Sequence, residues 1–383
     1  MILDKIFNPV RQLAEHGKLS GVLLIIATGA SLLLSNSHSA ASYLGLWNSE
    51  IGFSFLHKSL LHWINDGLMP IFFLLVGIEI KREMVTGELS KVKQAVLPVF
   101  AAIGGILAPA YIFYIFNMRD AETLHGWAIP TATDIAFSLG ILSLLGNRVP
   151  FAVKVFMTAL AIIDDLGAIL IIAVFYSSDL QLTMILLALA VFIVMILFNR
   201  FNVTFPLIYL FLGGLLWYFT MKSGIHPTIA GVLTAFAIPA KMAEELEHLL
   251  DKPVYYFILP LFALANTAIP ISFELTGSMF SGLSMGIILG LFLGKPIGIL
   301  LATVIMVRSG ISTLPTNTKW MHIAGMGLTA GIGFTMSIFI ASLSFSDPLL
   351  TNAAKLAIIV GSFLSAIAGV IVLRLSPRVL GES

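Results

Sequence analysis

The stretch VFMTALAIIDDLGAILIIAVF, Val155–Phe175, sets two adjacent carboxylates, Asp164 and Asp165, in the middle of an apolar run long enough to cross a bilayer. A helix needs about 20 apolar residues to span the hydrocarbon core. An ionised side chain at that depth costs about 3 kcal/mol or more, and such residues face a bundle interior and mark ion paths. One short segment therefore poses two questions, whether the whole chain is a membrane protein and what two carboxylates do inside it.

Composition answers the first. The 383 residues are 58% hydrophobic and 11% charged, with a mean hydropathy of +1.00. An ordinary soluble chain is about half apolar and about a quarter charged. The excess cannot be hidden in one soluble core, so the chain reads as an all-α polytopic membrane protein. A net charge of +1 gives no sign of a nucleic-acid partner, and the absence of cysteine excludes disulfides and thiolate metal sites. The sequence calls for no cofactor. The first apolar run, GVLLIIATGASLLL, follows Lys5, Arg11 and Lys18 and has the look of a signal peptide. With many more spans behind it, a first transmembrane helix is the better reading.

Twelve candidate spans lie near 17–36, 59–82, 94–117, 121–145, 150–176, 181–199, 203–220, 223–240, 253–272, 283–308, 321–345 and 355–376. Nothing between them resembles a soluble domain, so 1–383 is one transmembrane domain. The longest connection, 37–58, carries Ile51, Phe53 and Phe55 in alternation, which suggests a short β-hairpin or an irregular loop. With a cytoplasmic N-terminus, sixteen Lys and Arg fall inside and four fall outside (Lys58, Arg119, Lys222 and Lys355). The positive-inside rule then places both termini in the cytoplasm and the 37–58 segment outside.

Few ionisable residues lie deep in these spans. Asp164 and Asp165 centre span 5, Asp134 centres span 4, Lys295 centres span 10, and Asp66 and Glu79 sit toward the two ends of span 2. A single buried pair could merely lock helices together, but four groups converging at one depth point to a path. Neighbours on a helix diverge by about 100°, so the two aspartates can border one cavity from different directions. Two close carboxylates resist ionising together. A hard cation such as Na+ takes oxygen ligands, which deprotonated carboxylates supply. Cation and protons then compete for one site, and if that site opens to one side at a time, competition becomes exchange. Lys295, in LFLGKPIGIL, can pair with whichever aspartate lacks a cation; it either carries a proton itself or only balances charge.

Two spans look interrupted. Span 4 reads GWAIPTATDIAFSLG, where Pro130 and the threonines weaken the helix. Span 11 reads AGMGLTAGIGFTMSIFIASL, with Gly325, Gly327, Gly331 and Gly333. Each is the middle member of a trio, spans 3–5 and 10–12, and the trios are inverted copies in topology. Paired interruptions in inverted repeats point to a transporter's site, with the broken helices crossing at the midplane. Broken helices expose partially charged ends. Asp134 is placed to offset the positive ends and Lys295 the negative ends, while Thr133 offers a hydroxyl to the cation.

These blocks, TATDIAFSLG, LAIIDDLGAIL, GKPIGI and GIGFTMSIFIASLSF, resemble the bacterial NhaA-type sodium/proton antiporters, and the similarity runs through nearly the whole chain. The resemblance implies electrogenic export of Na+ or Li+ driven by proton entry in the bacterial inner membrane. It implies that Asp164 and Asp165 bind cation and protons, that Thr133 and Asp134 form the unwound part of span 4, and that Lys295 is the lysine of span 10. It also implies activation at alkaline pH through a cluster at the cytoplasmic mouth. Glu79, Arg82 and Glu83 in GIEIKREM and Glu247 and His248 in ELEHLLDK match it, and His226 matches a further pH-linked position. A homodimer formed partly through the hairpin after span 1 is likewise implied. One departure is the loop PAKMAEELEHLLDKP, which reads short and has Asp251 where a second histidine is expected.

The nearest rival is a sodium-coupled solute symporter of similar fold, which needs a larger polar cavity than the sequence offers. An enzyme is the other class. An intramembrane aspartyl protease draws its dyad from two facing helices, and a retinal Schiff base on Lys295 lacks an aromatic box.

Overall fold

The computed structural model describes residues 2–53 and 56–377. Phe55 and Arg378 lie outside the described residues, as do the side chains of Lys5, Arg11 and Lys18. In chain order the main elements are α1 (Ile2–Ser35), α2 (Ala40–Asn48), β1 (Glu50–Phe53), β2 (Leu56–Ser59), α3 (Leu60–Val85), α4 (Val92–Asn117), α5 (Ala121–Thr131) and α6 (Ile135–Leu144). There follow α7 (Phe151–Phe175), α8 (Leu182–Arg200), α9 (Pro206–Lys222), α10 (Thr228–Ala237), α11 (Ala240–Pro253) and α12 (Leu259–Asn266). The chain closes with α13 (Gly282–Arg308), α14 (Trp320–Ala330), α15 (Phe334–Ser344) and α16 (Pro348–Leu375). Helix prevails because a segment in lipid must satisfy its own backbone donors and acceptors.

The protein is an all-α polytopic membrane protein. Among the described residues six helices, α3, α4, α7, α8, α13 and α16, are individually long and apolar enough to cross a membrane. Three bent pairs raise this to nine if each counts once: Leu19–Ser35 with α2 (115°), α5 with α6 (42°) and α14 with α15 (42°). The twelve apolar segments read from sequence are thus not twelve regular helices. α9 and α10 are shorter, and the 253–272 segment passes through a π turn, Val254–Ile258, before α12.

Two segments differ from their sequence reading. Within 37–58 the chain first forms α2, and only then β1 and β2, paired antiparallel with Ile51 opposite Lys58. The stretch read as a loop, PAKMAEELEHLLDKP, is helical as α11. Its charges mask an amphipathic pattern in which Met242, Ala243, Leu246 and Leu250 fall on one face and join an apolar cluster with Tyr209 and Leu216.

The chain divides into two units. Unit 1 comprises Met1–Ile26, Thr86–Ala168 and Ile269–Ser383, and unit 2 comprises Ala27–Val85 and Ile169–Ala268. In unit 1, α4 packs on α13, and α14 and α15 pack on α16. The α4–α13 contact brings backbone against backbone. A Cβ on Gly104 would stand 2.3 Å from the Gly298 oxygen, and one on Gly298 would stand 2.0 Å from the Gly104 oxygen. No side chain fits there, and the close approach seats the Lys295 stem against Gly105. In unit 2, α10 packs on α3 just as closely, because a Cβ on Gly231 would meet the Pro70 oxygen at 2.1 Å.

Candidate functional site

The site in unit 1 starts from two broken helices. Pro130 has no N–H to give, and the chain leaves the helical path at Ala132, passes through extended Asp134, and restarts as α6. In the other span the break falls at Gly331–Gly333, between α14 and α15. Gly325 and Gly327, read from sequence as part of that interruption, are regular positions of α14. They serve close packing instead, against Leu373 and Pro296.

The two breaks touch. The Asp134 amide donates to the Ile332 oxygen at 2.7 Å, and a Cβ on Gly333 would lie only 3.1 Å from the Ala132 oxygen. Each break also satisfies backbone groups orphaned by the other. Thr133 Oγ1 donates to the Ala330 oxygen at 3.0 Å and Ser138 Oγ to the Thr329 oxygen at 2.8 Å, both at the end of α14. Ser337 Oγ donates to the Ile129 oxygen, at the end of α5, at 2.7 Å. An unmet carbonyl in this setting would forfeit about 1–3 kcal/mol.

Asp134 serves the positive ends of both restarted helices. Its Oδ1 accepts from the Phe137 amide at 2.9 Å, capping α6, and its Oδ2 accepts from the Thr335 amide at 3.1 Å and hydroxyl at 2.5 Å. Each helix N-terminus carries about half a positive charge, so two of them roughly balance one carboxylate. Lys295 serves the opposite end. Its Nζ donates to the Thr131 oxygen, where α5 stops, and to Asp164 Oδ2 at 2.6 Å. Lys295 directly follows a π turn, Gly290–Gly294, an irregularity that often accompanies functional positions.

Asp164, Asp165, Asp134, Lys295 and Thr133 are all at most 2% exposed. Lys295 is hydrogen-bonded to Asp164 and lies within electrostatic reach of Asp165, and Thr133 turns its hydroxyl and amide toward the Asp164 carboxylate. The second oxygen, Asp164 Oδ1, is buried and accepts no well-formed hydrogen bond. A small cation would find there an unused carboxylate oxygen beside a second carboxylate. Asp134 stays out of that pair: among the described residues no three acidic or histidine side chains converge as a metal cage. The structure thus gives three aspartates two assignments, two at a candidate ion site and one holding the breaks together. Thr335, Ser337 and Ser138 were not picked out from sequence. Their signal was present as hydroxyls within a few residues of each break.

Unit 2 holds most of the remaining charged candidates. Glu79, Glu83 and Glu247 are 1%, 7% and 7% exposed. Arg82 bonds Glu247 across α3 and α11 and lies 3.5 Å from Glu83. Glu79 accepts from the Tyr255 hydroxyl at 3.3 Å, and Arg82, Glu83 and Asp251 act on it electrostatically. His248 is exposed on α11. His226 sits elsewhere, with Nδ1 on Thr228 Oγ1 at 2.8 Å and Nε2 at 3.5 Å from Asp66, whose other oxygen meets His62 at 2.9 Å. Asp66 and Glu79 are thirteen residues apart on α3, about 20 Å of helical rise, so these are separate clusters. Lys81, also unremarked from sequence as a partner, closes the end of α10 by donating to Ala235 at 3.2 Å, to Phe236 at 3.1 Å and to Ile238.

Comparison with known proteins adds a further finding. The family described as Na+/H+ antiporter 1 matches residues 11–373. The chain is similar to a protein named Na(+)/H(+) antiporter NhaA 2 of Flavobacterium johnsoniae, 49% identical over 363 residues that cover 92% of this chain and 89% of that one. It is similar to Na(+)/H(+) antiporter NhaA of Flavobacterium psychrophilum, 48% identical over 371 residues, 95% of each chain. It is also similar to the protein of that name in Dechloromonas aromatica, 50% identical over 355 residues, 90% of each chain.

Proposed function

Since the chain belongs to the Na+/H+ antiporter 1 family, transporters that exchange sodium for protons, we propose that it does so electrogenically at the Asp164–Asp165 pair by alternating access. Cation and protons compete for these carboxylates. In the cation-free site Lys295 neutralises Asp164, and Asp165 holds a proton. Entry of Na+ or Li+ turns Asp164 toward the cation, assisted by the Thr133 oxygen. Two protons then leave, one from Asp165 and one held in the Asp164–Lys295 pair, so more positive charge enters than leaves. Lys295, left as a neutral amine, keeps its hydrogen bond to the Thr131 oxygen and Asp134 its hold on both helix starts, so neither break loses its hydrogen-bond partners.

The setting we propose is a bacterial inner membrane, crossed twelve times, with both termini cytoplasmic and spans 3–5 and 10–12 as inverted repeats. Two copies associate partly through the hairpin of the 37–58 segment. The Glu79, Arg82, Glu83 and Glu247 cluster, with His248 and His226, adjusts activity toward alkaline pH. The observation that carries the reading is the 2.6 Å contact of Lys295 with Asp164 beside Asp165, all nearly inaccessible. Calorimetry of Na+ binding in buffers of different ionisation enthalpy tests it. Binding releases protons, and apparent affinity tightens about tenfold per pH unit for each proton displaced, until the site is deprotonated. Sodium binding that is indifferent to pH would overturn the proposal.

A further inference from the structure

Unit 2 contains an apolar cavity of about 540 Å3 among α3, α9 and α10. That is within the roughly 300–1,000 Å3 range of small-molecule sites. Leu60, Ile71, Leu210, Leu246 and Leu261 are among its walls. At one end it shares Trp63, Gly67 and Trp217 with a small niche whose other walls include Lys58, His62 and Asp66. Trp63 and Trp217 stack with ring centroids 6.4 Å apart, where the apolar cavity gives way to the charged niche. Trp side chains concentrate where hydrocarbon meets headgroups, so the pair marks the level of a lipid's glycerol and phosphate.

The two compartments together have the polarity of one amphipathic molecule, and we infer that they form a phospholipid site, with an acyl chain in the cavity and the phosphate against Lys58 and His62. The facing charges suit that occupant. Lys58 and His62 are exposed at the niche and can donate to phosphate oxygens. The one acidic wall, Asp66, is already engaged by His62 at 2.9 Å and by His226 at 3.5 Å, so it does not meet the phosphate as a bare charge. α3 and α9 are apolar helices, as walls that take an acyl chain must be. Water has almost nothing to bond inside, whereas a chain makes contact on every wall.

Gly214 provides a clean test, because it lines the cavity and a Cβ there meets nothing within 4 Å. A phenyl ring at that position starts from open space on the cavity wall and is large enough to compete with an acyl chain. Purified protein is delipidated, given phosphatidylglycerol or diacylglycerol of the same chains, and weighed by native mass spectrometry. The wild type retains one phosphatidylglycerol per chain and at least fivefold less diacylglycerol. Gly214→Phe loses both, Lys58→Gln loses only the preference for phosphate, and a control at an equally open glycine away from the cavity, Gly277→Phe, retains wild-type binding. Circular dichroism melts identify any variant that fails to fold, in which case Gly214→Leu replaces Gly214→Phe. Equal retention by wild type and a folded Gly214 variant overturns the inference. So does a Gly214 variant that changes only the monomer–dimer ratio, since that result assigns the cavity to a second copy of the chain.

Discussion

The buried charges of unit 1 and unit 2 are neutralised by different means. In unit 1 the partners are largely backbone groups freed by breaking helices: Asp134 is met by two helix starts and Lys295 by the end of a third helix. In unit 2 the acids of the Glu79 cluster are met by other side chains, Glu247 and Glu83 by Arg82 and Glu79 by Tyr255, while Lys81 beside them takes the carbonyls at the end of α10. Backbone dipoles are fixed in direction and cannot be exchanged. Side chains on adjacent helices can swap partners as protons come and go. The first arrangement suits a site with one geometry, and the second suits a device that responds gradually to pH.

The largest effects should come where unit 1 has no substitute. Asp164→Asn and Asp165→Asn should each lower sodium-driven proton movement in proteoliposomes by about a hundredfold or more. Their stabilities should differ. Asp164→Asn strips Lys295 of its partner, and breaking a buried pair costs about 3–5 kcal/mol. Asp165→Asn leaves that pair intact and should melt close to wild type. Equal melting of the two would mean that the 2.6 Å contact does not hold Lys295 in place.

A smaller effect tests the backbone half of the comparison. Thr335→Val keeps the shape at the second break but removes the hydroxyl that meets Asp134 at 2.5 Å. A hydrogen bond to a charged group contributes about 1.5–3 kcal/mol. Exchange should fall about tenfold, with Thr335→Ser restoring it. A Val variant as fast as the Ser variant would show that the two helix starts alone satisfy Asp134.

The same contrast explains what could be read in advance. Membrane class and helical fold follow from hydropathy, which is local and additive along the chain. Asp134, Asp164, Asp165 and Lys295 stood out because a charge in an apolar run needs a reason. The interruption at Pro130 was equally legible, since proline removes a donor whatever surrounds it. The glycines were less so. Gly325 and Gly327 differ from Gly331 and Gly333 only in what packs against them, Leu373 and Pro296 in the first case and the opposite break in the second. Partnership across the fold was invisible for the same reason. Nothing local to Ser337 says that it meets the carbonyl of Ile129, 208 positions away. The π turns at Ile64–Leu68, Val254–Ile258 and Gly290–Gly294, each holding or adjoining a charged-cluster residue, likewise leave no mark in composition.

The smallest effects belong to unit 2, and their signs matter more than their size. Around Arg82 the acids Glu79, Glu83 and Glu247 crowd one guanidinium. Glu247→Gln removes one negative charge and frees Arg82 for its neighbours, and both changes make the remaining acids easier to ionise. If their ionisation activates exchange, the rate-versus-pH curve should move about half a unit toward acid, with its plateau unchanged. Arg82→Gln should move the curve the other way, because every acid in the cluster loses its cation. His248→Ala should shift it least of the three, since that ring stands exposed on α11 outside these contacts. Fluorescence-monitored exchange across a pH series reads all three. Shifts of the same sign in Glu247→Gln and Arg82→Gln would mean that the cluster braces α3 against α11 rather than sensing protons. A plateau that collapses in Glu247→Gln would place unit 2 in the exchange step itself and erase the contrast between the units.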